Sequence, residues 1–180
     1  FASGSTYPVP PRSRLAVEAE IALRIGQVVP AAATAAQAGA AVAAAAPSLE
    51  VVDYSLASRD LMQIAETASF HHGFVLGAES SPQCAPRVRA DCPRLCIDDV
   101  ATGDADPALV PEDLGEIVVL VARFLARFGE RLEAGDWILT GSCVRPAFVG
   151  SDDVVHADFD SLGIVRAVFR DSERDTVRDS

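Results

Sequence analysis

Between Val17 and Leu23 the chain reads Val-Glu-Ala-Glu-Ile-Ala-Leu, with Val17, Ala19, Ile21 and Leu23 alternating against Glu18, Glu20 and Ala22. A period of two is the signature of a half-buried β-strand, so this stretch predicts a strand with both glutamates on one face. Carboxylates at i and i+2 then stand about 6.5–7 Å apart, where they repel unless a cation or an arginine lies between them. Single bonds of roughly 2.0–2.6 Å from each carboxylate to one hard cation would bridge that gap. The same pattern also describes an ordinary solvent face, so the spacing alone leaves both readings open.

The rest of the chain is read around this strand. Phe1–Arg14, with Gly4, Pro8, Pro10 and Pro11, predicts an extended loop. Thr34–Ala46 predicts an alanine helix capped by Thr34 and stopped by Pro47. Leu49–Tyr54 predicts a strand carrying Glu50, a charge that is costly to bury in an apolar strand without a partner. Phe74–Leu76 predicts a short strand after a polar, histidine-bearing stretch, and Glu79–Asp106 a loop with room for one hairpin. Pro111, Glu112 and Asp113 open a helix whose apolar stripe is Leu114, Val118, Val121, Leu125 and Phe128, ending near Gly129. Trp137–Thr140 predicts a strand entering Gly141. Val154–Phe159 and Ile164–Phe169 predict a pair across Ser161-Leu162-Gly163. Pattern alone gives an α+β fold in a single domain over 1–170, followed by a polar tail over 171–180.

Charge and cysteine usage narrow the function classes. The net charge is −11 and all 15 basic residues are arginine, without a basic cluster, which argues against nucleic-acid binding. A small anionic ligand stays open, because a bound cation inverts the local field of an acidic site. No run of about 18 strongly apolar residues predicts a membrane span; Ala31–Ala46 is interrupted by Thr34, Gln37 and Gly39. Cys84, Cys92, Cys96 and Cys143 predict thiols in a reducing, cytoplasmic compartment, since the spacing of the first three is not a familiar zinc pattern. The first residue is Phe1, which reads as a processed or truncated N-terminus.

Four blocks carry a family resemblance in order and approximate spacing: Val17–Leu23, Pro47–Asp53 (Pro-Ser-Leu-Glu-Val-Val-Asp), Ala134–Ser142 (Ala-Gly-Asp-Trp-Ile-Leu-Thr-Gly-Ser) and the Leu-Gly-Ile-Val-Arg-Ala-Val-Phe of the last strand pair. Together they resemble the 2-keto-4-pentenoate hydratase branch of the fumarylacetoacetate hydrolase superfamily. The resemblance implies that family's β-rich mixed catalytic fold with flanking helices. It implies that Glu18, Glu20 and Glu50 bind Mg²⁺ or Mn²⁺, with Ser69, Thr140, Gly141 and Ser142 facing the substrate. The activity implied is a divalent-metal-dependent hydratase or related lyase acting on a short 2-keto or 2-hydroxydienoic acid. There the cation is a Lewis acid for the keto acid, before water adds across the distal double bond. A cytoplasmic role in aromatic catabolism, without nucleic-acid or membrane partners, completes the picture, and the short terminal strands, which leave edges in need of cover, predict a homo-oligomer.

Relatives carry a longer N-terminal part with a lysine that helps move protons, and this sequence has no lysine. His71 and His72 are therefore the candidate proton carriers. Adjacent residues on a strand face opposite ways, so at most one of them is expected at the site. His156 is expected to be structural, Asp53 to lie on the opposite strand face from Glu50, and Arg145 to be a surface residue unless it pairs a substrate carboxylate. Without the lysine-bearing part, a second reading is a truncated, catalytically impaired relative acting as a subunit or binding partner.

Overall fold

The computed structural model describes residues 1–56, 70–87, 93–103, 105–109 and 112–172. Strand β2 (Leu15–Ile25) is the axis of the first sheet. It pairs antiparallel with β3 (Val42–Asp53) on one side and with β7 (Trp137–Leu139) and β8 (Ala147–Phe148) on the other. Beyond β3 lies β4 (His71–Leu76), also antiparallel. The second sheet runs β1 (Thr6–Val9), β10 (Ile164–Asp171), β9 (Val154–Asp158), β5 (Arg94–Ile97) and β6 (Val100–Ala101), with β1 parallel to β10. Two α-helices occur among the described residues, α1 (Ala35–Ala40) and α2 (Leu114–Ala126). The β-rich α+β architecture with flanking helices is the one expected, and no described helix is long and apolar enough to cross a membrane.

The odd-numbered residues of β2, from Leu15 to Ile25, are all buried. They join Val51 and Val75 of their own sheet and Tyr7, Val155, Val165 and Phe169 of the other in one apolar cluster, so the sheets pack against each other. The even face is more buried than the half-buried reading implies: Ala16, Glu20 and Ala22 are inaccessible, beside the small Ala44, Ala46 and Ser48 of β3, while Glu18 and Arg24 stay partly exposed.

The alanine run departs most from expectation. The Thr34 capping box forms, but α1 stops at Ala40, and Val42–Ala46 are the first part of β3. Helix propensity is a weak prior, and pairing the whole length of β2 overrides it: Ala44, Ala45 and Ala46 lie opposite Arg24, Leu23 and Ala22. Pro47 consequently sits inside β3, opposite Ile21, rather than ending a helix. The opening segment, expected as a loop, supplies β1, and β4 begins earlier than expected, at His71. Asp171 closes β10 instead of opening the tail, most of which lies outside the described residues.

Helix α2 begins on Asp113, whose carboxylate accepts the Gly115 N–H at 2.8 Å. Its inner face is Gly115, Val118, Val119 and Ala122, while Phe128, expected in the stripe, is exposed. The turn carrying it starts at Arg127, past the helix end, where the helical spacing no longer applies. Gly115 lets α2 press against α1. A Cβ at this position would lie 2.1 Å from the Ala35 carbonyl oxygen, a backbone atom that cannot rotate away. Gly115→Ala is therefore expected to destabilise the protein by about 1–3 kcal/mol, by forcing the helices apart. A urea melt would register this as a lower midpoint, and an unchanged midpoint would show that the helices do not hold this contact.

Candidate metal centre

The β2–β3 register decides the site. Glu18 lies directly opposite Glu50, and Glu20 opposite Ser48. Paired residues of an antiparallel ladder point to the same face, so two glutamates from one strand and one from the next meet on a single surface. One carboxylate oxygen from each of Glu18, Glu20 and Glu50 lies within 4.8 Å of the other two. Among the described residues this is the one group of three or more histidine, cysteine or acidic side chains arranged to hold an ion.

Glu20 is the innermost of the three, 1% exposed. Its Oε2 accepts the Gly141 N–H at 2.9 Å. Gly141 follows β7, has φ +96°, and would meet nothing if it carried a Cβ, so the backbone angle rather than space calls for glycine. Burial, followed by repulsion from Glu50, pushes the Glu20 carboxyl up to about 8. The Glu18 carboxyl is raised for the same two reasons, opposed by Tyr54, whose hydroxyl approaches Oε1 at 3.4 Å. Three crowded carboxyls, one of them fully buried, need either protons or a cation, and the donor set is one that suits a hard divalent ion.

Between Val51 and Val52 the β3–β4 register jumps from Gly73 to His71, which makes His72 the extra residue of a β-bulge. The bulge sends the two histidines to different layers. His71 Nδ1 meets Glu50 Oε1 at 2.6 Å; towards an ionised carboxylate, which can only accept, Nδ1 is the donor. His72 Nδ1 instead bonds the buried Tyr7 hydroxyl at 2.7 Å, on the side facing the second sheet. A Cβ on Gly73 would lie 2.5 Å from that hydroxyl. Of the two candidate proton carriers, the bulge thus places His71 beside Glu50 of the triad and His72 against Tyr7.

Thr140, just past β7, donates its N–H to the Ile21 carbonyl, and its buried Oγ1 has no hydrogen-bond partner among the described residues. Ser142 spends its hydroxyl inside the turn, donating to the Val144 carbonyl at 2.5 Å. Ser69 lies outside the described residues. Asp53 caps local backbone, accepting from the Arg14 and Ser55 N–H groups. His156 sits on β9 with Asp99 3.8 Å away, and Arg145 is exposed. Cys84, Cys96 and Cys143 occur as thiols, and Cys92 lies outside the described residues. Sequence reasoning did not single out Tyr54 or the Gly141 N–H, because both reach the triad only through the β2–β3 and β2–β7 registers.

Residues 1–170 match the fumarylacetoacetate (FAA) hydrolase C-terminal family. The chain belongs to that family. The fold of this fumarylacetoacetate hydrolase family member is shared with solved structures of low sequence identity. One is 4-oxalocrotonate decarboxylase from Pseudomonas putida G7, complexed with magnesium and adipate, with TM-score 0.76 and 19% identity over 94% of this chain and 65% of that one. Another is fumarylpyruvate hydrolase from Pseudomonas aeruginosa, in complex with Mn²⁺ and pyruvate, with TM-score 0.72 and 19% identity over 96% and 74%. A third is 2-hydroxyhepta-2,4-diene-1,7-dioate isomerase from Mycobacterium marinum, with TM-score 0.72 and 18% identity over 95% and 65%. The family member thus spans less than two thirds of the decarboxylase and of the isomerase. Comparison with curated protein sequences gives no significant match.

Proposed function

We propose that this family member is the cation-binding part of a divalent-metal-dependent enzyme for a short 2-keto or 2-hydroxydienoic acid. Hydration of 2-hydroxypenta-2,4-dienoate is the reaction to test first. The observation that carries the reading is the convergence of Glu18, Glu20 and Glu50 within 4.8 Å, around a carboxyl that burial makes hard to ionise alone. These three side chains would hold Mg²⁺ or Mn²⁺, ions present in the decarboxylase and hydrolase structures of the same fold. Such an ion supplies a Lewis acid for the keto and carboxylate oxygens of the substrate.

The chain's own residues do the rest. Gly141 fixes Glu20 by one oxygen, Tyr54 steadies Glu18, and His71 orients Glu50. When Nδ1 donates to Glu50 and Nε2 is unprotonated, His71 can accept and return a proton at Nε2, a task for which the sequence has no lysine. The orphaned Thr140 hydroxyl needs a partner, and an oxygen of the bound acid would provide one.

Calorimetric titration with Mn²⁺, followed by turnover of 2-hydroxypenta-2,4-dienoate with and without chelator, tests the reading. Saturable Mn²⁺ binding and chelator-sensitive turnover support it, and no Mn²⁺ binding overturns it. Binding without turnover would favour the second reading, a catalytically impaired relative serving as a subunit. His71→Ala is expected to weaken Mn²⁺ binding by about 10- to 100-fold, the usual loss when a residue that orients a ligand is removed. Unchanged affinity would show that Glu50 needs no such support.

A further inference from the structure

Helix α2 turns one side to α1 and the core and leaves the other bare. Leu120 is 68% exposed and Phe124 55%, and the Phe124 ring lies 5.2 Å between centroids from that of Phe128, itself 67% exposed. Large apolar side chains gathered on one face mark a contact surface, whereas scattered ones need no explanation. The apolar stripe is set between charges of opposite sign. Glu116 stands in the first turn, and Arg123 and Arg127 stand at the other end, all three exposed. Arg123 Nε donates to the Ala31 carbonyl at 3.4 Å, and among the described residues neither Glu116 nor Arg127 forms an ion pair.

Glu116, Leu120, Arg123 and Arg127 follow one another at intervals of four, three and four, the spacing of a seam along which one helix packs on another. Beside it runs a groove of about 540 Å³, lined by Glu116, Val119, Leu120 and Arg123, with Ile117 and with Ala35 of α1. The first four of these are related as i, i+3, i+4 and i+7, the corners of a hole that accepts one side chain from a facing helix. Acidic residues first and basic residues last also suit the dipole of α2 itself. The dipole accounts for the signs of the charges, but not for the apolar residues between them or for the groove.

The charges select the occupant. An antiparallel second copy of α2 sets the acidic end of each helix against the basic end of the other. With the twofold axis passing between Val121 and Ala122, Glu116 faces Arg127 of the second copy, and Phe124 of the second copy falls on the hole at Val119 and Leu120. We propose that this face of α2 is a self-complementary interface, on which a second copy of the chain docks antiparallel, with Phe124 of each copy in the groove of the other and a Glu116–Arg127 ion pair at each end. Every contact then occurs twice, as a twofold axis requires. A helix of 13 residues is about 20 Å long, and one such pair covers less than the roughly 800 Å² per partner of a standard interface. The dimer is therefore expected to be reversible, with a dissociation constant of about 1–50 µM.

Sedimentation of the chain over about 1–300 µM brackets that range; chelator in the buffer keeps the metal centre out of the comparison. A monomer–dimer equilibrium is expected. Phe124→Asp should weaken it at least about 30-fold, the scale of a central aromatic anchor, with the melting temperature unchanged because the side chain is already exposed. Glu116→Arg and Arg127→Glu should each weaken it about tenfold by setting like charges together twice, and the two combined should return it to within about threefold of wild type. Such rescue arises only between copies, since on one helix the two positions are about 16.5 Å apart. The helix dipole alone predicts the reverse, with both reversals together worse than either. A dimer that persists in Phe124→Asp, or a double variant no better than the single ones, overturns the proposal. A chain that stays monomeric throughout overturns it as well and assigns the face to a different partner.

Discussion

Glu20→Ala is expected to abolish divalent-cation binding and with it chelator-sensitive turnover. Glu18 and Glu50 are partly accessible and keep company with Tyr54 and His71, but Glu20 is the buried ligand, pinned by Gly141 and crowded by both other carboxyls. Its removal takes away one of three charges from the innermost side of the site, so the loss should exceed the roughly 10- to 100-fold attributed to an outer partner such as His71. Mn²⁺ affinity can be followed by calorimetry, with 2-hydroxypenta-2,4-dienoate consumption alongside. Affinity within a few-fold of wild type would mean that the cation, if bound, sits elsewhere, and the assignment of the triad would fall.

A second large effect is expected on stability in the absence of metal. In the folded protein the Glu20 carboxyl is raised from its ordinary 4.5 to about 8, so the folded state holds that proton more tightly than the unfolded chain does. The associated stabilisation is complete below about pH 4.5 and is lost as pH rises through about 8. Chelator-treated protein should therefore melt at a lower temperature at pH 8 than at pH 5. With a few kcal/mol at stake, the difference is on the order of 5–10 °C. Saturating Mn²⁺ at the higher pH should restore the midpoint, since a ligand bound only by the folded state stabilises it. Glu20→Gln keeps a polar group of the same shape without the charge, so its melting temperature should depend less on pH. A wild-type curve no steeper than that of Glu20→Gln would show that Glu20 is not the group under strain.

The two halves of the triad were not equally legible in the sequence. Glu18 and Glu20 could be placed on one face because a period of two is a local property of seven residues. Glu50 could be placed in a strand, but its meeting with Glu18 depends on a register set by twelve residues of β3, several of which are alanines with a helical propensity that tertiary pairing overrides. The apolar pattern also could not say that the even face of β2 is largely buried, because small residues such as Ala16 and Ala22 read as neutral. The last strand pair, by contrast, was visible through its alternation and intervening bend. For the histidines, alternation set them on opposite faces, and only the bulge sets which of them lies beside Glu50.

That bulge links the core to the chemistry by chain length rather than by residue type. Because His71 and His72 are identical neighbours, deleting either one yields the same shortened strand, Phe-His-Gly-Phe. The surviving histidine then falls opposite Val52, on the Glu50 side, and the Tyr7 hydroxyl is stranded in the apolar layer. A single inserted codon therefore suffices to give one strand two duties, and no point substitution at either position can exchange them. Variation in the length of β4, more than variation in its composition, is the change to which both the polar anchor of the core and the partner of Glu50 are exposed.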